Sequence, residues 1–270
     1  MTQYPFAKNI PVSSPKKSLG QHWLNDQLSL QSMVLAANLN QSDDVLEIGP
    51  GLGSLTKLLV QQARSVTAVE FDTILANNLS RHVPALNLRV VESDILRFDL
   101  TTMVPDYKVV ANIPYYLTAK LVRVLSESPN QPSTAVLLVQ KEVAERLAAK
   151  PGSLSILGVT AQYYWEISLG QIVKAQLFTP PPKVDSQIVI MTRRGRPLFD
   201  DIDSRVFFRV VKAGFGAKRK TLLNSISAGL HLDKSQTTML LQAAAIDPGL
   251  RAQNLSIDAW YSLYSQFKNL

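Results

Sequence analysis

The sequence predicts an α/β fold: a doubly wound parallel sheet followed by a small all-helical domain. Three observations predict it. From residue 44 to about 140, short apolar and often β-branched runs alternate with helix-length amphipathic stretches, which is the pattern of a parallel sheet covered by helices. The first run enters Gly49-Pro50-Gly51-Leu52-Gly53, a turn in which backbone can approach a ligand closely. Beyond Arg193-Arg194-Gly195-Arg196-Pro197, strand-like runs cease and helical ones succeed each other.

Taken in order, residues 26–39 read as an amphipathic helix carrying Leu28, Met33, Val34 and Leu35. Strands are expected at 44–48, 65–70, 88–92, 107–111 and 134–139, and helices at 54–63, 72–82, 117–127 and 141–149. Two later segments, 163–173 and 184–192, flank Pro180-Pro181-Pro182 and read as an antiparallel pair at the sheet edge, with Tyr163-Tyr164-Trp165 in strand core. Helices are expected at 203–214, 218–229, 234–244 and 256–267. The change of composition places a boundary near 195, giving domains 1–195 and 196–270. No internal repeat or low-complexity tract is evident.

The composition narrows the chemistry. The chain has 270 residues, 46% hydrophobic, enough for a large core plus a small one. Cysteine is absent, which excludes disulfides and thiolate zinc sites. His22, His82 and His231 share no ligand spacing, so no metal is expected. No run of about 18 apolar residues occurs, so no membrane span is expected, and a cytoplasmic location is. The formal charge of +7 suggests a polyanionic partner, weakly. Lys8, Lys16 and Lys17 lie in an acid-free stretch without an apolar core, a flexible basic arm rather than a secretory signal.

Chemistry-bearing residues fall at the ends of successive strands. Glu47 precedes Gly49 and Gly51, Glu70 ends the second strand, Asp94 follows the third, and Asn112-Ile113-Pro114-Tyr115 closes the fourth. Ligands of open α/β sheets bind at that edge. The spacing Glu-x-Gly-x-Gly-x-Gly is the loop pattern associated with S-adenosylmethionine, whereas a dinucleotide fingerprint is more usually G-x-G-x-x-G. Glu70 suits ribose hydroxyls in either case, and Asp94 suits an adenine amino group. Each acid alone also reads as a helix cap or turn residue. Adenine N6 is a poor nucleophile because its lone pair is delocalised. The Asn112 side chain and the Ile113 carbonyl offer two acceptors for its N–H bonds. Pro114 stiffens the turn, and Tyr115 offers a stacking face. Read alone, N-x-P-Y is an ordinary strand-ending turn. Lys218, Arg219 and Lys220, together with Arg193, Arg194, Arg196, Lys16 and Lys17, are candidate phosphate contacts. Taken singly, such clusters are more often solvated faces.

With these residues assembled, the chain resembles the bacterial ribosomal RNA adenine dimethylases over roughly residues 16–267. The resemblance is carried by Lys17-Ser18-Leu19-Gly20-Gln21-His22-Trp23-Leu24-Asn25-Asp26, by Val45 to Gly53, by Asn112 to Tyr115 and by Gln140 to Leu147. Its most specific block is Phe178-Thr179-Pro180-Pro181-Pro182-Lys183-Val184-Asp185-Ser186, and Phe215 with Lys218 to Leu222 and Asn224 completes it. The resemblance implies a Rossmann-like class I S-adenosylmethionine-dependent methyltransferase sheet. It implies N6,N6-dimethylation of two adjacent adenines near the 3′ end of 16S rRNA, a step of ribosome biogenesis. His22, Leu24, Gly49, Gly51, Glu70, Asp94 and Asn112 would contact the cofactor, and Tyr115 and Phe178 would sandwich the flipped base. The helical domain would dock the small ribosomal subunit, and a monomer is expected. His22 and Trp23 depart from the commoner Asn and Phe, and the 151–158 loop departs from the usual Tyr-Gly. The alternatives are a 23S rRNA adenine methylase, a non-catalytic ribosome-assembly factor and, more distantly, a nicotinamide oxidoreductase.

Overall fold

In the computed structural model, which describes residues 14–16, 19–195, 198–199 and 202–270, strand β1 (Trp23–Leu24) and helix α1 (Gln27–Ala36) precede the alternating region. That region runs β2 (Asp44–Ile48), α2 (Thr56–Gln62), β3 (Ser65–Glu70), α3 (Thr73–His82), β4 (Leu88–Glu92), β5 (Lys108–Asn112), α4 (Thr118–Glu127), β6 (Thr134–Gln140) and α5 (Lys141–Leu147). Helix α6 (Ile156–Tyr164), β7 (Trp165–Val173), β8 (Phe178–Thr179) and β9 (Ser186–Arg193) follow. Helices α7 (Ser204–Phe215), α8 (Leu222–Leu230), α9 (Lys234–Ala243) and α10 (Ile257–Lys268) end the chain. Lys8, Lys17, Ser18, Arg196 and Pro197, named above in the arm, entry motif and linker, lie outside the described residues.

The main sheet has the order β4-β3-β2-β5-β6-β9-β7. Pairing is parallel from β4 to β6, and β9 is antiparallel to both β6 and β7. The expected antiparallel edge is therefore present. Side chains alternate between the two faces. Leu46, Val109, Ala111, Leu137 and Val139 pack under α4 and α5. Val45, Val110, Val136 and Leu138 pack under α1 and α2, against Met33 and Leu59. Being buried on both faces is why these strands read as unbroken apolar runs. Side-chain caps start several helices: Asp26 accepts from the Ser29 N–H, Asp72 from Ile74 and Asp203 from Arg205.

Four expectations need correction. Tyr163 and Tyr164 end α6 rather than begin a strand. Ser155 caps that helix by accepting from the Gly158 N–H at 3.2 Å, and Tyr163 stacks on Phe207 at 5.4 Å. Second, α8 starts at Leu222, so Lys218, Arg219 and Lys220 lie in the turn after α7. Third, Arg193 and Arg194 are engaged within the sheet region, pairing with Asp106 and Glu166. Fourth, Lys16 pairs with the buried Asp72 at 2.7 Å, which ties that part of the arm to the cap of α3.

The four C-terminal helices enclose their own core, with Phe207, Val211, Ile226, Leu241 and Trp260 buried. Leu154, Val159 and Tyr163 belong to the same core, while Ala161 and Trp165 belong to the sheet core. Helix α6 thus joins the two.

Candidate active site

The chain crosses between β2 and β5: β3 and β4 build outward on one side of β2, and β5 returns to its other side. The carboxyl ends of strands at such a switch point diverge into a crevice. Here it is a pocket of about 330 Å³, within the range of small-ligand clefts. His22, Leu24, Gly49, Gly51, Glu70, Asp94, Asn112, Ile113, Pro114 and Tyr115 all line it.

The floor is the turn after β2. Gly49 has φ of +65°, and a Cβ placed there meets nothing within 4 Å, so the open side of this residue faces free space. Gly53, at φ +83°, is constrained differently: a Cβ would lie 2.8 Å from both Leu79 and Val83, so glycine lets α3 pack close. Glu70 organises this turn. One carboxylate oxygen accepts from the Gly51 N–H at 3.1 Å and the other from the Asp72 N–H at 2.9 Å. Burial, partly offset by these bonds, raises its pKa. Asp94 accepts from the Leu96 N–H at 3.0 Å through one oxygen.

Glu47 is 1% exposed, and its Oε2 has no hydrogen-bond partner. Burial pushes its pKa up to about 8, with the Glu70 charge adding to the rise. Between its ordinary 4.5 and about 8, the folded protein binds more protons than the unfolded chain. Stability therefore falls as pH rises through that window. Glu47→Gln is expected to remove this slope, so that the variant melts several degrees above wild type at pH 8 and close to it at pH 5. Parallel melting curves from pH 5 to 8 would refute the assignment.

At the end of β5, Asn112 Nδ2 donates to the His22 carbonyl at 3.4 Å. This orients the amide and leaves Oδ1 without a partner among the described residues. The Ile113 carbonyl also receives no hydrogen bond among them. The Tyr115 hydroxyl is bonded to Ser186 Oγ at 2.7 Å. His22 lies 5.9 Å from the Tyr115 ring at 18°, held by its Nδ1 donating to the Pro180 carbonyl at 2.7 Å.

The structure does not bring Phe178 into the pocket. Its ring is 3% exposed, in β8 opposite Leu24 and in the core with Ile188. The ring parallel to Tyr115 is that of His22, not Phe178. Lys218, Arg219 and Lys220 are exposed on the helical domain, also outside the pocket. Phe71, Tyr116 and Lys120 are among the lining residues to which the sequence assigns no role. Phe71 and Tyr116 are large and exposed, at 61% and 59%. Their adjacency to Glu70 and Tyr115 was the available signal.

A glycine turn, strand-end acids and unclaimed acceptors at the switch point of this sheet define a methyltransferase of the open α/β class. Comparison with known proteins narrows that class. The chain belongs to the ribosomal RNA adenine dimethylase family, which it matches over residues 12–269. It is 40% identical over 253 residues to ribosomal RNA small subunit methyltransferase A of Dehalococcoides mccartyi, covering 92% of this chain and 87% of the relative. It is 38% identical over 264 residues to the protein of that name from Enterococcus faecalis, covering 92% and 88%. Among solved structures, a dimethyladenosine transferase from Plasmodium falciparum superposes with a TM-score of 0.79 at 25% identity, covering 92% of this chain and 98% of that one. The 23S rRNA methyltransferase ErmE gives 0.72 at 27%, covering 91% and 99%.

Proposed function

We propose that the protein transfers methyl groups from S-adenosylmethionine to the N6 amines of two adjacent adenines near the 3′ end of 16S rRNA, two on each base, as a step of small-subunit biogenesis. One observation carries the reading: two acceptors, Asn112 Oδ1 and the Ile113 carbonyl, stand unclaimed where β5 enters the pocket. An exocyclic amine has two N–H bonds to satisfy, and leaving either unpaired in a buried site would be costly.

The residues present suit the cofactor. Trp23 Nε1 and Glu47 Oε2 are buried without partners, and both residues line the pocket. They supply an indole N–H and a carboxyl oxygen, both free to pair with the polar groups of a bound ligand. S-adenosylmethionine supplies, when bound, an electrophilic methyl on a sulfonium leaving group, so the protein needs neither a nucleophilic side chain nor a metal. Asn112 and Ile113 hold the amine, and the Tyr115 face stacks the base. Catalysis is then positioning and electrostatics, and the N6 proton passes to water. Glu70 keeps the Gly51 turn open for the nucleoside. Lys218, Arg219 and Lys220 contact phosphates. The protein acts as a monomer in the cytoplasm, and no helix among the described residues is long and apolar enough to cross a membrane.

The test is methyl transfer from labelled S-adenosylmethionine to unmethylated small subunits, with large-subunit RNA as control. Dimethyladenosine on small subunits alone is expected. Transfer to large-subunit RNA instead would favour the 23S activity. Binding of small subunits without transfer would favour an assembly factor.

A further inference from the structure

A second cavity, of about 600 Å³, lies between α7 and α8 and is separate from the catalytic pocket. One wall is a line of cations on α7: Arg205, Arg209 and Lys212. Their spacing, i, i+4 and i+7, puts them on one helical face. That face spans ~10 Å along the axis. All three are exposed, and none has an ion-pair partner among the described residues. Arg209 is also positioned, its guanidinium 5.7 Å over the Phe267 ring. The Asp203 carboxylate beside them accepts from the backbone N–H groups of Arg205 and Val206 at the start of α7.

The rest of the lining is small. Gly216, Ala217, Ala228 and Gly229 present no long side chain, so a ligand backbone can come down onto the helices. Gly229 is where α8 crosses α7: a Cβ there would sit 2.6 Å from Ala213 Cα. At the end of α7 the groove runs into the turn bearing Lys218, Arg219 and Lys220.

We propose that this groove seats the phosphate backbone of double-helical RNA and docks the substrate particle while the pocket holds the base. The inference rests on the rRNA reading above and names a surface for it. The lining contains no aromatic residue. A site for single-stranded RNA would interleave cations with stacking rings, whereas a duplex is recognised by shape and phosphates. The positive line, unpaired among the described residues, and a lining with no large apolar side chain suit that anion rather than a lipid surface.

The test uses the full chain with Arg205→Gln, Arg209→Gln and Lys212→Gln combined, and a second variant, Arg205→Lys with Arg209→Lys and Lys212→Arg, that keeps the charge. Binding to a short RNA duplex is measured against salt. Methyl transfer to unmethylated small subunits is measured as KM and kcat. For the neutral variant, the slope of log affinity against log salt should fall by about two to three units, roughly one per contact. KM for subunits should rise about tenfold or more, with kcat and the affinity for S-adenosylmethionine unchanged. The charge-keeping variant should behave as wild type, which separates charge from folding. An unchanged salt slope with unchanged KM would overturn the proposal. So would a raised KM with unaltered duplex binding, which would assign the groove to an acidic protein partner. Wild type that binds duplex through the groove yet transfers no methyl would sink the catalytic reading and leave the groove standing.

Discussion

Asn112→Ala is expected to lower kcat for methyl transfer by about two to three orders of magnitude at saturating cofactor, with the affinity for small subunits unchanged. The side chain does two things that alanine cannot. Its Oδ1 is one of two unclaimed acceptors in the pocket, and its Nδ2 reaches the His22 carbonyl at 3.4 Å. That second bond ties the end of β5 to the strand carrying Trp23 and Leu24, so the acceptor is held in place before substrate arrives. Removing it leaves the amine one partner, the Ile113 carbonyl, and frees the lone pair to stay delocalised in the ring. Asn112→Asp separates the two contributions. It keeps an acceptor but loses the donor to His22 and turns a carboxylate toward that carbonyl, so it should not restore the wild-type rate. Single-turnover rates at saturating S-adenosylmethionine, measured beside subunit binding, decide the matter. A rate for Asn112→Ala within about tenfold of wild type would move the amine contact elsewhere in the pocket.

The ends of the parallel strands were legible in the sequence. The segments 44–48, 65–70 and 88–92 coincide with β2, β3 and β4, because strands buried on both faces show as short apolar runs bounded by turn residues. Since Glu47, Glu70, Asp94 and Asn112 stand at or just beyond the ends of such runs, their place in the pocket could be read along with them. The α6 region was not legible. Tyr163-Tyr164-Trp165 is as compatible with a strand as with a helix, and only the distant helices explain why the two tyrosines are helical. Tyr163 packs against Phe207 and Phe208, contacts that no local window contains. The roof of the pocket was hidden for the same reason. Trp23 pairs with Thr179 and Leu24 with Phe178, more than 150 residues away, and this pairing covers Phe178 and sets His22 beside Tyr115. Charge pairing is illegible where the partner lies far along the chain: Lys16 falls in an acid-free stretch, and its partner is Asp72 at the start of α3.

Gly214→Ala should destabilise the protein, against what helix propensity alone suggests. Within a helix, alanine is favoured over glycine by about 1 kcal/mol, and Gly214 lies inside α7. Packing opposes that gain. A Cβ at this position would lie 2.3 Å from Trp260 Cη2 and 2.9 Å from Cζ3. The indole is fully buried, and Phe215 stacks on it at 5.5 Å, so the ring has little room to move aside. Overpacking of this kind typically costs about 1–3 kcal/mol, and the rigid ring puts this case at the upper end, beyond the propensity gain. A net loss of about 1–2 kcal/mol corresponds to a fall in Tm of roughly 2–8 °C for a protein of this size. Where that loss is felt follows from α6. Leu154, Val159 and Tyr163 complete the helical core, while Ala161 and Trp165 sit in the sheet core, so loosening α7 and α10 also uncovers α6. A single transition shifted to lower temperature is therefore expected, seen alike by circular dichroism and by loss of cofactor binding. Two separated transitions would mean that the helices beyond residue 195 melt on their own, and an unchanged or raised Tm would mean that α7 and α10 can part without loss.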